Sequence, residues 1–134
     1  MKFSIRTRMI TMGHRKGQRV YYAYPKAQSK LTLEMVVERI QRATSLTEGD
    51  VHNALISLGN VVYEALSEGQ SIDLGRLGSF RVMVPPNMMD REEDVVVPNA
   101  FKKPKIIYTP KKAMKIAASK VSLTIEKKQR KKQG

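Results

Sequence analysis

The stretch from Gly69 to Val82, Gly-Gln-Ser-Ile-Asp-Leu-Gly-Arg-Leu-Gly-Ser-Phe-Arg-Val, constrains this chain more than any other. It sets Gly69, Gly75 and Gly78 among strand-forming residues, directly after a long amphipathic helical pattern. Gly69 falls where that helix has to stop, because a residue without Cβ takes the left-handed conformation at little cost. Ile72 and Leu74 alternate with polar neighbours, as a half-buried strand requires. Gly75 and Gly78 bracket a tight reversal. Alternation then resumes, with Phe80, Val82 and Val84 on one face and Ser79, Arg81 and Met83 on the other. A helix feeding a glycine-bent β-ribbon is the local reading.

Upstream, residues 32–44 read as a first helix. Thr32 is placed to cap it, since its hydroxyl can accept from an orphan backbone N–H. Leu33, Val36, Val37 and Ile40 form its apolar stripe. After the link Ser45-Leu46, Thr47-Glu-Gly-Asp50 resembles a capping box that starts a second helix running to about Ser67. That helix carries Val51, Ala54, Leu55, Leu58, Val61, Val62, Ala65 and Leu66 on one side. The stripe covers nearly half the circumference, wider than a single partner helix needs. On so small a protein it implies burial against a second subunit.

Residues 1–25 read as a hairpin. Phe3 and Ile5 alternate with polar residues, residues 13–17 form a basic glycine-flanked turn, and Val20 to Tyr24 is rich in β-formers before Pro25. The simple reading is an added strand pair with solvated charges; the other is phosphate contact through Arg15, Lys16 and Arg19. Beyond the ribbon, Pro85-Pro86 blocks regular pairing and residues 87–94 are polar and acidic. Val95 to Val97 reads as a short strand ended by Pro98. Ile106 to Thr109 reads as another strand, stopped by Pro110, which opens a basic helix from Lys111 to about Lys120. Leu123 and Ile125 suggest a last short strand. Asp73 and Arg76 are spaced for a local ion pair.

Charge decides the class of partner. The net charge is +13, unevenly spread. Residues 1–30 hold eight Lys or Arg and no acid, residues 31–69 two basic and six acidic residues, and residues 99–134 twelve basic residues and one acid. Basic ends around an acidic helical middle suit a polyanion, nucleic acid first. There is no cysteine, so no disulfide and no thiolate metal site. His14 and His52 lack metal-ligand spacing, Gly75 and Gly78 fit a strand turn better than a phosphate loop, and no nucleophile elbow occurs. No catalytic residue, cofactor, metal or small-molecule substrate is expected. No apolar run reaches the roughly 18–20 residues of a membrane helix, and no secretory signal is apparent, so the expected location is the cytoplasm.

Two motifs then resemble one family. Gly69, Ile72, Leu74, Leu77, Gly78, Ser79, Phe80 and Val82 resemble the β-ribbon signature of the bacterial histone-like HU / integration host factor family. Tyr108-Thr-Pro-Lys-Lys-Ala-Met-Lys115 resembles the strand end, proline and lysine-rich helix that follow the arm in that family. With the helical hairpin, the likeness covers residues 32–121. The N-terminal hairpin and altered arm look most like the HU-related proteins of Bacteroides-type bacteria. The resemblance implies an α+β fold: an intertwined homodimer with a helical base, a β-saddle and arms that bend double-stranded DNA through its minor groove, and a place in the bacterial nucleoid. The implied layout is a basic hairpin extension (1–30), an HU-like domain (31–123, arm about 83–105) and a disordered basic tail (124–134). It sends Phe80, Val82, Ile106 and Tyr108 into the core. The expected DNA contacts are Arg76, Arg81, Lys102, Lys103, Lys105, Thr109, Lys111, Lys112 and Lys115.

The arm departs from the family. Its usual basic tip carries a proline that wedges between base pairs. Here the corresponding region has Pro85-Pro86, Met88-Met89 and the acids of residues 90–94. Acids at a tip repel phosphate, so strong bending is not implied, whereas charge-driven binding is. The methionines suit packing against the arm better than a wedge. Two other classes remain open on sequence: an HU-like protein-interaction module, and an RNA-binding protein. Aromatic content outside Tyr21, Tyr22 and Tyr24 is low, which disfavours base stacking on single strands.

Overall fold

The computed structural model describes residues 1–127. Among these residues, contacts divide the chain into two compact units: Met1–Leu31 together with 120–127, and Thr32–Ser119.

In the first unit, β1 (Lys2–Met9) and β2 (Arg19–Pro25) pair antiparallel from Phe3↔Pro25 to Met9↔Arg19. The turn closes through Gly17 N donating to Ile10 O at 2.8 Å, and Ile10 N to Gln18 O at 3.0 Å. A third strand, β6 (Thr124–Glu126), pairs parallel with the start of β1, so the sheet order is β2-β1-β6. Residues 124–126 are therefore sheet and not the start of a disordered tail. The reason is apolar and ionic pairing: Ile125 sits opposite Phe3, and Lys2 and Lys26 both pair with Glu126. Residues 128–134, the rest of the expected tail, lie outside the described residues.

The second unit begins with α1 (Leu33–Ala43), whose cap is the Thr32 hydroxyl accepting from Met35 N at 3.3 Å. Helix α2 (Glu48–Ser67) opens on a reciprocal capping box. Thr47 Oγ1 accepts from Asp50 N, and Asp50 Oδ2 accepts from Thr47 N, both at 3.1 Å. These bonds to Thr47 hold the Asp50 carboxyl below the usual carboxylate range. Thr47→Ala is expected to cost about 1 kcal/mol in a urea titration. The part owed to Asp50 is present above the ordinary carboxylate pKa and fades as pH falls through its lowered folded value. An unchanged urea midpoint at neutral pH would show the box contributes nothing.

Helix α2 ends as its glycine requires. Gly69 sits at φ 74°, Gly69 N donates to Leu66 O, and Gln70 N donates to Ala65 O at 2.9 Å. That double closure satisfies two otherwise orphaned carbonyls. The helices pack through Val37 and Val51, each 2 % exposed. Of the remaining α2 stripe, Leu55, Val62, Ala65 and Leu66 are half-buried, whereas Ala54, Leu58 and Val61 are exposed, Val61 to 53 %.

A second three-stranded sheet follows, in the order β3-β4-β5: β3 (Ile72–Asp73), β4 (Gly78–Met83) and β5 (Lys105–Pro110). A 3-10 turn over Gly75–Leu77 joins β3 to β4. The segment between β4 and β5 is not a simple ribbon. Its root is closed by the Pro86↔Phe101 bridge and by Lys102 N donating to Pro85 O at 2.8 Å. The expected strand over Val95 to Val97 is absent. Instead a 3-10 turn (Glu92–Asp94) precedes a short helix, α3 (Val97–Ala100), with Pro98 in its first turn. Proline's fixed φ suits that position, and its missing N–H is one the helix start leaves unpaired in any case. No partner strand was there to reward the valines' β preference. Helix α4 (Lys112–Ser119) closes the unit.

Candidate nucleic-acid interface

The register of β4 and β5 sorts their side chains. Phe80 faces Tyr108 and Val82 faces Ile106 on one side; Ser79 faces Thr109, Arg81 faces Ile107 and Met83 faces Lys105 on the other. Arg81, Lys105 and Thr109 thus share the face opposite Phe80, Val82, Ile106 and Tyr108, the sorting that the family resemblance implies. Ile107 shares it too, a half-buried apolar residue between the polar ones. It could have been found by extending the same alternation from Lys105.

The opposite face is only partly a core within one chain. The Phe80 and Tyr108 rings lie 5.1 Å apart, and the Tyr108 hydroxyl donates to Leu77 O at 2.5 Å. Ile106, however, is 66 % exposed. Burial of this set is not achieved by the chain alone.

The other expected contacts are distributed around this sheet. Lys102 and Lys103 lie between the arm root and β5. Lys112 and Lys115 stand three residues apart on α4, hence on neighbouring positions of one helix face. Among the described residues no ion pair engages Arg81, Lys102, Lys103, Lys105, Lys112 or Lys115. Lys111 differs. Its Nζ donates to Asp73 Oδ2 at 3.1 Å, while Asp73 Oδ1 accepts from Gly75 N at 2.8 Å. The Gly75 bond first, and Lys111 second, hold the Asp73 carboxyl below its usual range. The expected Asp73–Arg76 pair is therefore replaced by Asp73–Lys111. The carboxylate accepts from Gly75 N, two residues on, and the chain returning through β5 brings Lys111 to it. Arg76 stays exposed in that turn.

The arm carries the opposite sign. Asp90, Glu92, Glu93 and Asp94 are all exposed, with one local pair, Arg91–Glu93 at 3.4 Å. Met88 is exposed and Met89 half-buried, so only the second packs as expected. Among the described residues no three His, Cys, Asp or Glu side chains gather as a metal site, and no helix is long and apolar enough to cross a membrane.

The unit Thr32–Ser119 is thus a helical hairpin feeding a glycine-turned, basic-faced β-sheet. A family model described as an HU domain fused to wHTH, Ig, or glycine-rich motif matches residues 1–127. The chain belongs to this HU family. The match takes in both units of the HU chain, its N-terminal sheet as well as the helical hairpin and β4–β5. Among solved structures, an HU variant from Thermotoga maritima is 21% identical, with 65% of this chain and 97% of that one covered and a TM-score of 0.46. A protein of Bacteroides vulgatus, provisionally described as a bacterial DNA binding protein, is 12% identical with a TM-score of 0.60. That match covers 96% of this chain but 49% of the other, so the HU chain spans about half the length of that relative. No curated protein sequence matches.

Proposed function

We propose that this HU-family chain is a non-sequence-specific, architectural DNA-binding protein of the bacterial nucleoid, acting as a homodimer. Its basic sheet face meets the phosphate backbone and minor groove of double-stranded DNA. The observation that carries this reading is the shared face of Arg81, Lys105 and Thr109, with Lys112 and Lys115 unpaired on the helix that follows. Arg76, Lys102 and Lys103 add charge around it. Lys111, held by Asp73, contributes less than its neighbours. Cations on a β-surface release phosphate counterions without reading base edges. Preference among sequences then comes from duplex shape and deformability. The acidic arm opposes a tight embrace, so bending is modest. No catalytic step, cofactor, metal or membrane enters.

The test is a salt titration of binding to a duplex of about 30 base pairs, for which roughly six phosphate contacts give a log–log slope near −5. Lys111→Glu/Lys112→Glu/Lys115→Glu should lose both affinity and slope. Wild-type affinity that ignores salt, or a triple variant that binds as well as wild type, would remove the basic face from the mechanism.

A further inference from the structure

The N-terminal sheet has two unlike faces. Register places Phe3, Ile5, Tyr21 and Ala23 on one, joined by Ile125 of β6. Arg6, Arg8, Tyr22 and Tyr24 fall on the other. The Arg6 guanidinium lies 3.5 Å from the centroid of the Tyr24 ring. The Tyr22 and Tyr24 rings meet edge to face, with centroids 6.4 Å apart. Tyr22 is 41 % and Tyr24 39 % exposed.

Acid is almost missing from this unit. Glu126, at the end of the Arg/Tyr face, is the exception, and Lys26 and Lys2 both pair with it. Its carboxyl is held below the usual range, chiefly by Lys26, so it remains a neutralised anion. Among the described residues no ion pair engages Arg6 or Arg8. The face therefore combines exposed aromatic planes with unneutralised guanidinium groups.

That combination discriminates between nucleic-acid forms. Duplex phosphates would use the arginines but leave the tyrosines idle, because paired bases are already stacked on each other. Unpaired bases offer their faces, and aromatic side chains accept any base by stacking. A guanidinium already laid on a tyrosine ring presents its second plane with little further ordering cost.

We propose that the Arg6–Arg8–Tyr22–Tyr24 face is a binding platform for single-stranded DNA. Unpaired bases stack on Tyr22 and on the Arg6–Tyr24 pair, and Arg8 takes the phosphates. The stacking site belongs to the N-terminal unit and shares no residue with the duplex-binding face; only the choice of DNA over RNA rests on the proposed function.

Fluorescence anisotropy of the full chain with a labelled oligo-dT of about 20 nucleotides tests it, alongside the duplex titration. Tyr22→Ala/Tyr24→Ala should weaken oligo-dT binding about tenfold or more and leave duplex affinity unchanged. Tyr22→Phe/Tyr24→Phe should retain binding. The Lys111/Lys112/Lys115 glutamate variant should lose duplex affinity and keep oligo-dT, which separates failure of one site from failure of the other. Should the alanine pair misfold by circular dichroism, Arg6→Gln/Arg8→Gln decides by the same tenfold loss. The platform is overturned if wild type ignores oligo-dT, if neither pair weakens it, or if Tyr21→Ala on the opposite face weakens it equally. Tighter binding to oligo-rU than to oligo-dT overturns the assignment to DNA.

Discussion

The melting temperature of the wild-type chain is expected to rise with protein concentration, and Val61→Asp is expected to abolish both that rise and the fold itself. The ground is the small size of the single-chain core. Among the described residues the buried apolar side chains are only those of Val37, Val51 and Ala100. A chain of 134 residues cannot offset its conformational entropy with so little. Much of what should be core lies at the surface: Leu58 and Val61 on α2, Ile106 and Tyr108 on β5. In the proposed homodimer a second copy covers these residues, and stability becomes inseparable from concentration. An aspartate at Val61 would then be buried uncompensated, costing several kcal/mol. Sedimentation equilibrium should give twice the 15.2 kDa chain mass for wild type. A folded 15.2 kDa monomer, with a melt independent of concentration, would sink the homodimer.

Gly78→Ala is expected to be the most damaging alanine substitution of a glycine in the unit Thr32–Ser119. Gly78 is buried at φ 125°, a conformation that side-chain-bearing residues rarely adopt. A Cβ there would lie 2.3 Å from Thr109 O and 3.0 Å from Pro110 Cα. Both obstacles are backbone, so neither can swing aside, and β4 and β5 must separate. The expected cost is about 3 kcal/mol or more, read from the urea midpoint. Gly75→Ala is the control. Gly75 also has positive φ, 63°, but an added Cβ meets nothing within 4 Å, so only the left-handed penalty of about 1–2 kcal/mol applies. Parting β4 from β5 also parts Arg81 from Lys105 and Thr109, so duplex affinity should fall with stability. If the two alanine variants are equally stable, the close approach at Gly78 does not hold the strands together.

What was legible in the sequence is what a few neighbouring residues settle among themselves. Thr32, Thr47 with Asp50, and Gly69 mark helix ends because each acts on backbone groups within one turn. Strand alternation put Arg81 opposite in facing to Phe80 and Val82, because the period belongs to each strand alone. Charge placement needed no structure at all. The errors fall where a distant partner decides. The valines before Pro98 have strand propensity but no strand to join. Asp73 chose Lys111, 38 residues away, over its neighbour Arg76. The strand suggested at Leu123 and Ile125 forms at 124–126, inside the expected tail, and its partner is the distant start of β1. The same holds for the two proposed nucleic-acid surfaces. The sequence by itself determined that the ends are basic, that Tyr21, Tyr22 and Tyr24 cluster, and that a helix feeds a glycine-turned ribbon. Only the tertiary structure decided that Tyr22 and Tyr24 share a face with Arg6 while Tyr21 does not, and that Arg81 stands opposite Ile107, diagonal to Lys105 and Thr109. Each strand specifies its own two faces, but which residues meet across strands depends on register, and register is set by non-local pairing that closes long loops.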